Sequence, residues 1–156
     1  MTGAEYLVWL LEAYDVECIF GLPGDTNVPF YRALYKSTKI RHVMARDERS
    51  AVFMADAYAR LTGKPAVCEC PSGAGAMYSL PGIAEATASS VPVILLTSDI
   101  PLKGEGRGMI TELDNAKLFE PVTKLSVQLK TAADAAARHR ETRRAAYPAR
   151  RCGLDR

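Results

Sequence analysis

A chain of 156 residues with 48% hydrophobic and 24% charged side chains can bury a sizeable core in one soluble domain, which excludes a disordered polymer. Its apolar runs fall short of the roughly 20 residues of a membrane span, and the N-terminus lacks the basic-then-apolar order of a signal peptide, so a cytoplasmic protein with no membrane role is expected. The net charge of +2 hides an uneven distribution: residues 1–131 hold 13 basic and 15 acidic side chains, and residues 132–156 hold 7 and 3, so the acidic body argues against a nucleic-acid partner.

Thr2-Gly3-Ala4-Glu5 fits a capping box, and Leu7, Leu10, Leu11 and Tyr14 follow at the spacing of one helical face, predicting a first helix to about Tyr14. Cys18-Ile19-Phe20 reads as a short strand ended by the turn formers Gly21-Leu22-Pro23-Gly24-Asp25. Asn27 is expected to cap a second helix with Pro29 in its first turn, and Ile40 to Met44 to form the next strand. A third helix is predicted from about Asp47 to Thr62, stopped by Gly63 and Pro65. Ala66 to Cys70 reads as a strand, Pro71 to Gly75 as a glycine loop, the stretch to about Ser89 as a helix, and Val91 to Thr97 as a fourth strand.

Strands of nearly continuous apolar residues alternating with amphipathic helices predict an α/β domain, a doubly wound parallel sheet with helices on both faces. Four loops then follow the carboxyl ends of strands: Gly21 to Asp25, Asp47-Glu48, Pro71 to Gly75 and Ser98 to Pro101. Ligands in such sheets bind on that edge. Glu48 is the candidate for chemistry, because Ala51, Ala55 and Ala59 share a helical face that lets another element approach closely. The alternative is an acidic residue that merely favours a helix N-terminus. Cys18, Cys68, Cys70 and Cys152 lack a second pair or nearby His to complete a tetrahedral set, so no metal ligand is expected and they read as reduced thiols.

Nucleotide motifs fail. Ser72-Gly73-Ala74-Gly75-Ala76 opens like a dinucleotide fingerprint, but Tyr78 takes the third glycine position and the loop follows the third strand. Gly63-Lys64 is followed by Pro65, so no phosphate-binding P-loop exists. The Pro71 to Gly75 loop could accept an anion or a flat ring through backbone N–H groups at a helix start, or be a plain turn.

Five blocks in order, VECIFGLPGD, RDERSAVFMADAYARLTGKP, PSGAGAMYSLPG, VPVILLTSDIP and TELDNAKLFEPVTK, resemble the N-terminal pyrimidine-binding domain of thiamine diphosphate enzymes of the acetolactate synthase type, over about residues 3 to 130. The resemblance implies the fold of that domain in residues 1–131. It matches Glu48 to the glutamate that hydrogen-bonds a ring nitrogen of the cofactor's aminopyrimidine and favours its imino tautomer, and burial among apolar groups would favour the neutral carboxyl there. Ser72, Gly73, Ala74 and Gly75 match the loop near the pyrimidine ring, and Gly21, Pro23 and Gly24 the loop at the same edge. It further implies decarboxylase or carboligase action on a 2-oxo acid, as a lyase or transferase.

Many relatives carry Pro-Gly-Ala-Thr-Asn at Ala74-Gly75-Ala76-Met77-Tyr78, and acetolactate synthases often have Phe-Gln at Ile110-Thr111. Met77 and Tyr78 are thus expected either in the core or lining a different acceptor pocket. The chain has no Gly-Asp-Gly, so the diphosphate and Mg²⁺ are expected on a separate domain, in a homo-oligomer or on a partner subunit, with this chain inactive alone. Residues 132–156, with 8 Ala and 7 Arg, offer no apolar core face, which suggests a basic tail, truncated or out of frame. Two other readings stand beside this one: a non-catalytic remnant that self-associates through the alanine face, and an unrelated flavodoxin-like nucleotide-binding module.

Overall fold

The computed structural model describes residues 1–146. Four parallel strands, β1 (Cys18–Gly21), β2 (Arg41–Met44), β3 (Ala66–Cys70) and β4 (Val93–Thr97), form one sheet in the order β2-β1-β3-β4. Helices α1 (Gly3–Ala13) and α2 (Val28–Leu34) cover one face, where Val8, Leu11, Phe30 and Leu34 pack on Ile19 and Val67. Helices α3 (Glu48–Thr62) and α4 (Ala74–Ala88) cover the other, where Ala51, Ala55, Ala76 and Ile83 pack on Phe20, Cys68 and Cys70. Alternate residues of β1, β3 and β4 therefore feed two separate cores, which is why these strands read as nearly continuous apolar runs. The doubly wound α/β fold expected from the sequence is the one observed.

Local signals account for most boundaries. Thr2 and Glu5 make the reciprocal capping box of α1. Asp47 caps α3 by accepting from the N–H groups of Arg49 at 2.9 Å and Ser50 at 3.3 Å, and Gly63 ends the helix at φ +67°, a conformation glycine adopts without a Cβ penalty. Ala51, Ala55 and Ala59 are fully buried against the chain's own sheet, so that face is covered and does not serve self-association. On the neighbouring flank of α3, a Cβ on Gly82 of α4 would stand 2.7 Å from Val52 Cγ1. Only a glycine allows the two helices that approach.

Asn27 departs from expectation. It stands at the N-cap position of α2 but gives the helix no side-chain cap, because its amide turns back toward the sheet.

β4 is the edge strand opposite β2, and all five of its residues are half-buried. Beyond it lie α5 (Asn115–Phe119), an extended stretch, and α6 (Ala132–Ala146). The sequence gives α6 no apolar stripe, yet alanine's high helix propensity suffices to form it, and Ala135 is buried. The remainder of the expected tail and Cys152 lie outside the described residues. Cys18, Cys68 and Cys70 are free thiols. Among the described residues no helix is long and apolar enough to cross a membrane.

Candidate active site

The chain leaves β1 in one direction, through α2 to β2, then returns through α3 to β3 on the other side of β1. The carboxyl ends of β1 and β3 therefore flank the switch point at which such sheets open a crevice. The Gly21–Asp25 and Pro71–Gly75 loops leave from these two ends, and the turn after β2 delivers Glu48 beside them.

Glu48 and Gly75 face one another. A Cβ on Gly75 would lie 3.0 Å from Glu48 Oε1 and 2.7 Å from Pro71 Cγ, so the carboxyl, the loop and the first turn of α4 close on the same small space. Gly73 holds φ +68°, with the Cα of Thr111 2.8 Å from where a Cβ would stand. Ser72 is buried; its Oγ donates to Thr111 O at 3.1 Å and its N–H to Thr26 Oγ1 at 3.0 Å. The Thr26 and Ser98 hydroxyls share a hydrogen bond of 3.1 Å, and the loops after β1, β3 and β4 are thereby joined. Gly24 packs its backbone on Pro71, where a Cβ would stand 2.8 Å from Pro71 Cβ. Ala74 is exposed at the start of α4. Pro23 stands apart, exposed beside Val28 and Tyr35 on the outer side of α2.

Two expectations change. Met77 and Tyr78 are not core residues: they are 56% and 54% exposed, and the Arg49 guanidinium lies 5.9 Å from the centre of the Tyr78 ring. Nor is Glu48 enclosed among apolar groups, since it is half-buried at the mouth of the crevice.

The deeply buried carboxyl is Glu69, at 2% exposure. It pairs in register with Gly21, whose missing side chain is what leaves room for the carboxylate. Glu69 accepts from Asn27 Nδ2 at 2.7 Å and from the Tyr31 hydroxyl. Asn27 in turn accepts the Gly24 N–H at 2.7 Å and donates to Leu22 O at 3.2 Å, so the Gly21–Asp25 loop hangs from this carboxylate. Burial pushes the Glu69 carboxyl up to about 7, against the lowering effect of these donors, and the nearby Glu48 adds to the rise. The sequence offered no periodic signal for Glu69, which occupies one polar position in an apolar strand.

A cavity of about 640 Å³ runs along β4 between α1, α2 and the extended stretch before α6. It reaches Asn27 and Glu69 at one end and does not include Glu48 or Gly75.

Comparison with known proteins bears on this edge. Residues 1–118 match the family described as thiamine pyrophosphate enzyme, N-terminal TPP binding domain. The chain is similar to a probable acetolactate synthase large subunit of Methanocaldococcus jannaschii, 45% identical over 130 residues, covering 83% of this chain and 22% of that one. It is similar to the acetolactate synthase isozyme 1 large subunit of Escherichia coli, 42% identical over 123 residues, 79% of this chain and 22% of the other. The acetolactate synthase large subunit of Corynebacterium glutamicum is 40% identical over 124 residues, with 80% and 20% covered. The chain thus spans about a fifth of the length of these relatives.

Proposed function

Because the chain belongs to the thiamine pyrophosphate enzymes, as their N-terminal TPP-binding domain, we propose that residues 1–131 form the pyrimidine-binding domain of an acetolactate synthase-like enzyme. The aminopyrimidine end of thiamine diphosphate lies, on this reading, between Glu48 and the Ser72–Gly75 loop. The observation that carries it is the facing of Glu48 Oε1 and Gly75 at the switch point of the sheet. The strand order is shared with flavodoxin-like sheets, and the family match is what separates the two.

Gly73 and Gly75 let the backbone at the start of α4 pack directly on Thr111 and Pro71, with the Glu48 carboxyl beside them. On this reading a flat ring lies against that backbone. Under the same proposal Glu48 Oε1 shares a proton with a ring nitrogen, while Gly24 permits close approach of the opposite loop, Gly21 leaves room for the Glu69 carboxylate and Pro23 sits at the outer rim. Bound thiamine diphosphate supplies the electron sink for decarboxylating a 2-oxo acid and for carboligation of the product. The chain's own part is to orient the ring and hold one proton. On this reading the diphosphate and Mg²⁺ are held outside residues 1–156, which contain no Gly-Asp-Gly, by another domain or a partner subunit that completes the site.

Calorimetric titration of the full chain with thiamine diphosphate and Mg²⁺, alone and with a Gly-Asp-Gly subunit, tests this, with Glu48→Gln as the variant. Binding and turnover that need the partner, with turnover lost in Glu48→Gln, are expected. No binding under either condition would leave a non-catalytic remnant. A tight nucleotide complex without thiamine would favour the flavodoxin-like alternative.

A further inference from the structure

Glu69 is one end of a chain of hydrogen-bonding groups that crosses from the interior to the edge of the sheet. Its carboxyl meets the Tyr31 hydroxyl, and the same hydroxyl lies 2.9 Å from Nε2 of His42. The Tyr31 and His42 rings pack edge-on, with centroids 4.9 Å apart and planes at 87°, which fixes the hydroxyl between the two partners. His42 is half-buried on β2, the outer strand on that side of the sheet.

A tyrosine hydroxyl has one proton, so it cannot donate to both neighbours. When Glu69 is ionised, Tyr31 donates to the carboxylate and must accept from His42, whose proton then sits on Nε2. When Glu69 is protonated, its hydroxyl donates to the Tyr31 oxygen, Tyr31 donates to Nε2, and the His42 proton sits on Nδ1. The two states differ by one proton, and every hydrogen bond in the chain is made in both.

We propose that His42, Tyr31 and Glu69 form a proton relay, in which a proton taken up at the edge-strand imidazole is delivered to the buried carboxylate beneath the Gly21–Asp25 loop, reversing both intervening hydrogen bonds. The transfer balances: a proton arrives on Nδ1, the Nε2 proton passes to the Tyr31 oxygen, and the original Tyr31 proton passes to Glu69 Oε1. The imidazole and the phenol end neutral, and one charge is removed at Glu69. Because Asn27 links Oε2 to the Gly24 N–H and also donates to Leu22 O, the loop backbone feels that change directly.

The surroundings suit the relay. Burial holds His42 below its ordinary range and lifts Tyr31 far above its own, so neither retains a charge near neutrality, whereas Glu69 titrates at about 7. The other titratable groups near Glu69 are Glu48 at the start of α3, and Cys68 and Cys70, its neighbours along β3, whose side chains lie on the opposite face of the sheet. Both thiols are pushed up by burial and remain neutral. No cation pairs with Glu69 among the described residues, so its charge is set by proton uptake.

The proposal does not depend on the cofactor, and the full chain without ligand tests it. Nuclear magnetic resonance would follow the His42 ring nitrogens, the Glu69 carboxyl carbon and the Leu22 and Gly24 amides from pH 5 to 9. The expected result is a neutral His42 that carries its proton on Nε2 at high pH and on Nδ1 at low pH, the exchange sharing one midpoint with Glu69 and both amides. In Tyr31→Phe the His42 tautomer no longer follows Glu69, while the Gly24 amide still does. In Glu69→Gln the inversion disappears. A His42 that keeps one tautomer throughout the Glu69 titration, or becomes imidazolium in the same step, overturns the relay, and wild-type protein alone is enough to show either.

Discussion

Replacing Glu69 by Gln should stabilise the fold at alkaline pH, although it removes a charge that accepts two side-chain hydrogen bonds. The Glu69 carboxyl is 2% exposed and titrates at about 7 in the folded chain, against an ordinary value of 4.5. Between these values the unfolded chain has released its proton and the folded chain still holds it. Stability therefore falls as pH rises through that window and levels off above about 7. At about 1.4 kcal/mol per unit, ionisation costs the fold about 3 kcal/mol. Gln keeps the size of the side chain and cannot ionise. Urea unfolding of the wild type and Glu69→Gln, followed by far-ultraviolet circular dichroism at pH 5, 6, 7 and 8, gives the difference directly. The variant should gain on the wild type with each step and lead by about 3 kcal/mol at pH 8. A difference independent of pH, or a variant less stable at pH 8, would refute the assignment of a costly buried charge to Glu69.

Gly82→Ala should destabilise the chain by about 1–3 kcal/mol, since the new methyl would stand 2.7 Å from Val52 Cγ1 at a helix contact with no slack; an unchanged thermal midpoint would contradict that packing. Gly75→Ala inserts a methyl 3.0 Å from Glu48 Oε1 and should weaken thiamine diphosphate binding in the assembled enzyme by about tenfold or more, measured by calorimetry. Thr2→Ala removes the side chain that caps α1 and should cost about 1 kcal/mol in urea unfolding. Cys68 and Cys70, with thiols pushed well above their ordinary range by burial, should resist a thiol reagent at pH 8 in the folded chain and react only after unfolding, as read by peptide mass mapping.

What the sequence revealed follows from what is local. Capping residues such as Thr2, Glu5 and Asp47, the stop at Gly63 and the apolar runs of β1 and β3 each declare themselves within a few neighbours, and the sheet follows from their alternation. The position of Glu48 and the glycine loops on one edge of the sheet was legible because each follows a strand end. Glu69 was not, because its meaning depends on Asn27 and Tyr31, 42 and 38 residues away, which only the packing of α2 on the sheet brings together. Asn27 was misread for the same reason: its Oδ1, the atom a cap would use, is taken by the Gly24 N–H, and its Nδ2 is held by the buried carboxylate. Met77 and Tyr78 look like core by composition, yet α4 turns them outward, since its small residues Gly75, Ala76, Ser79 and Gly82 are what fit against its neighbours.

The Val52–Gly82 contact acts at a distance from where it lies. Glu48 begins α3 one turn before Val52, and Gly75 lies two turns before Gly82 in α4, so the contact clamps the two helices like the pivot of a caliper. The gap between carboxyl and glycine loop is then gauged by backbone thickness at Gly82. The facing loop is held in two ways: Gly24 packs its backbone on Pro71, and the loop is suspended from Glu69 through Asn27. One jaw of the crevice is thus set by steric contact alone, whereas the other adds a titratable tether to its contact, and a ligand gripped between them would feel a change of charge at Glu69 through the second.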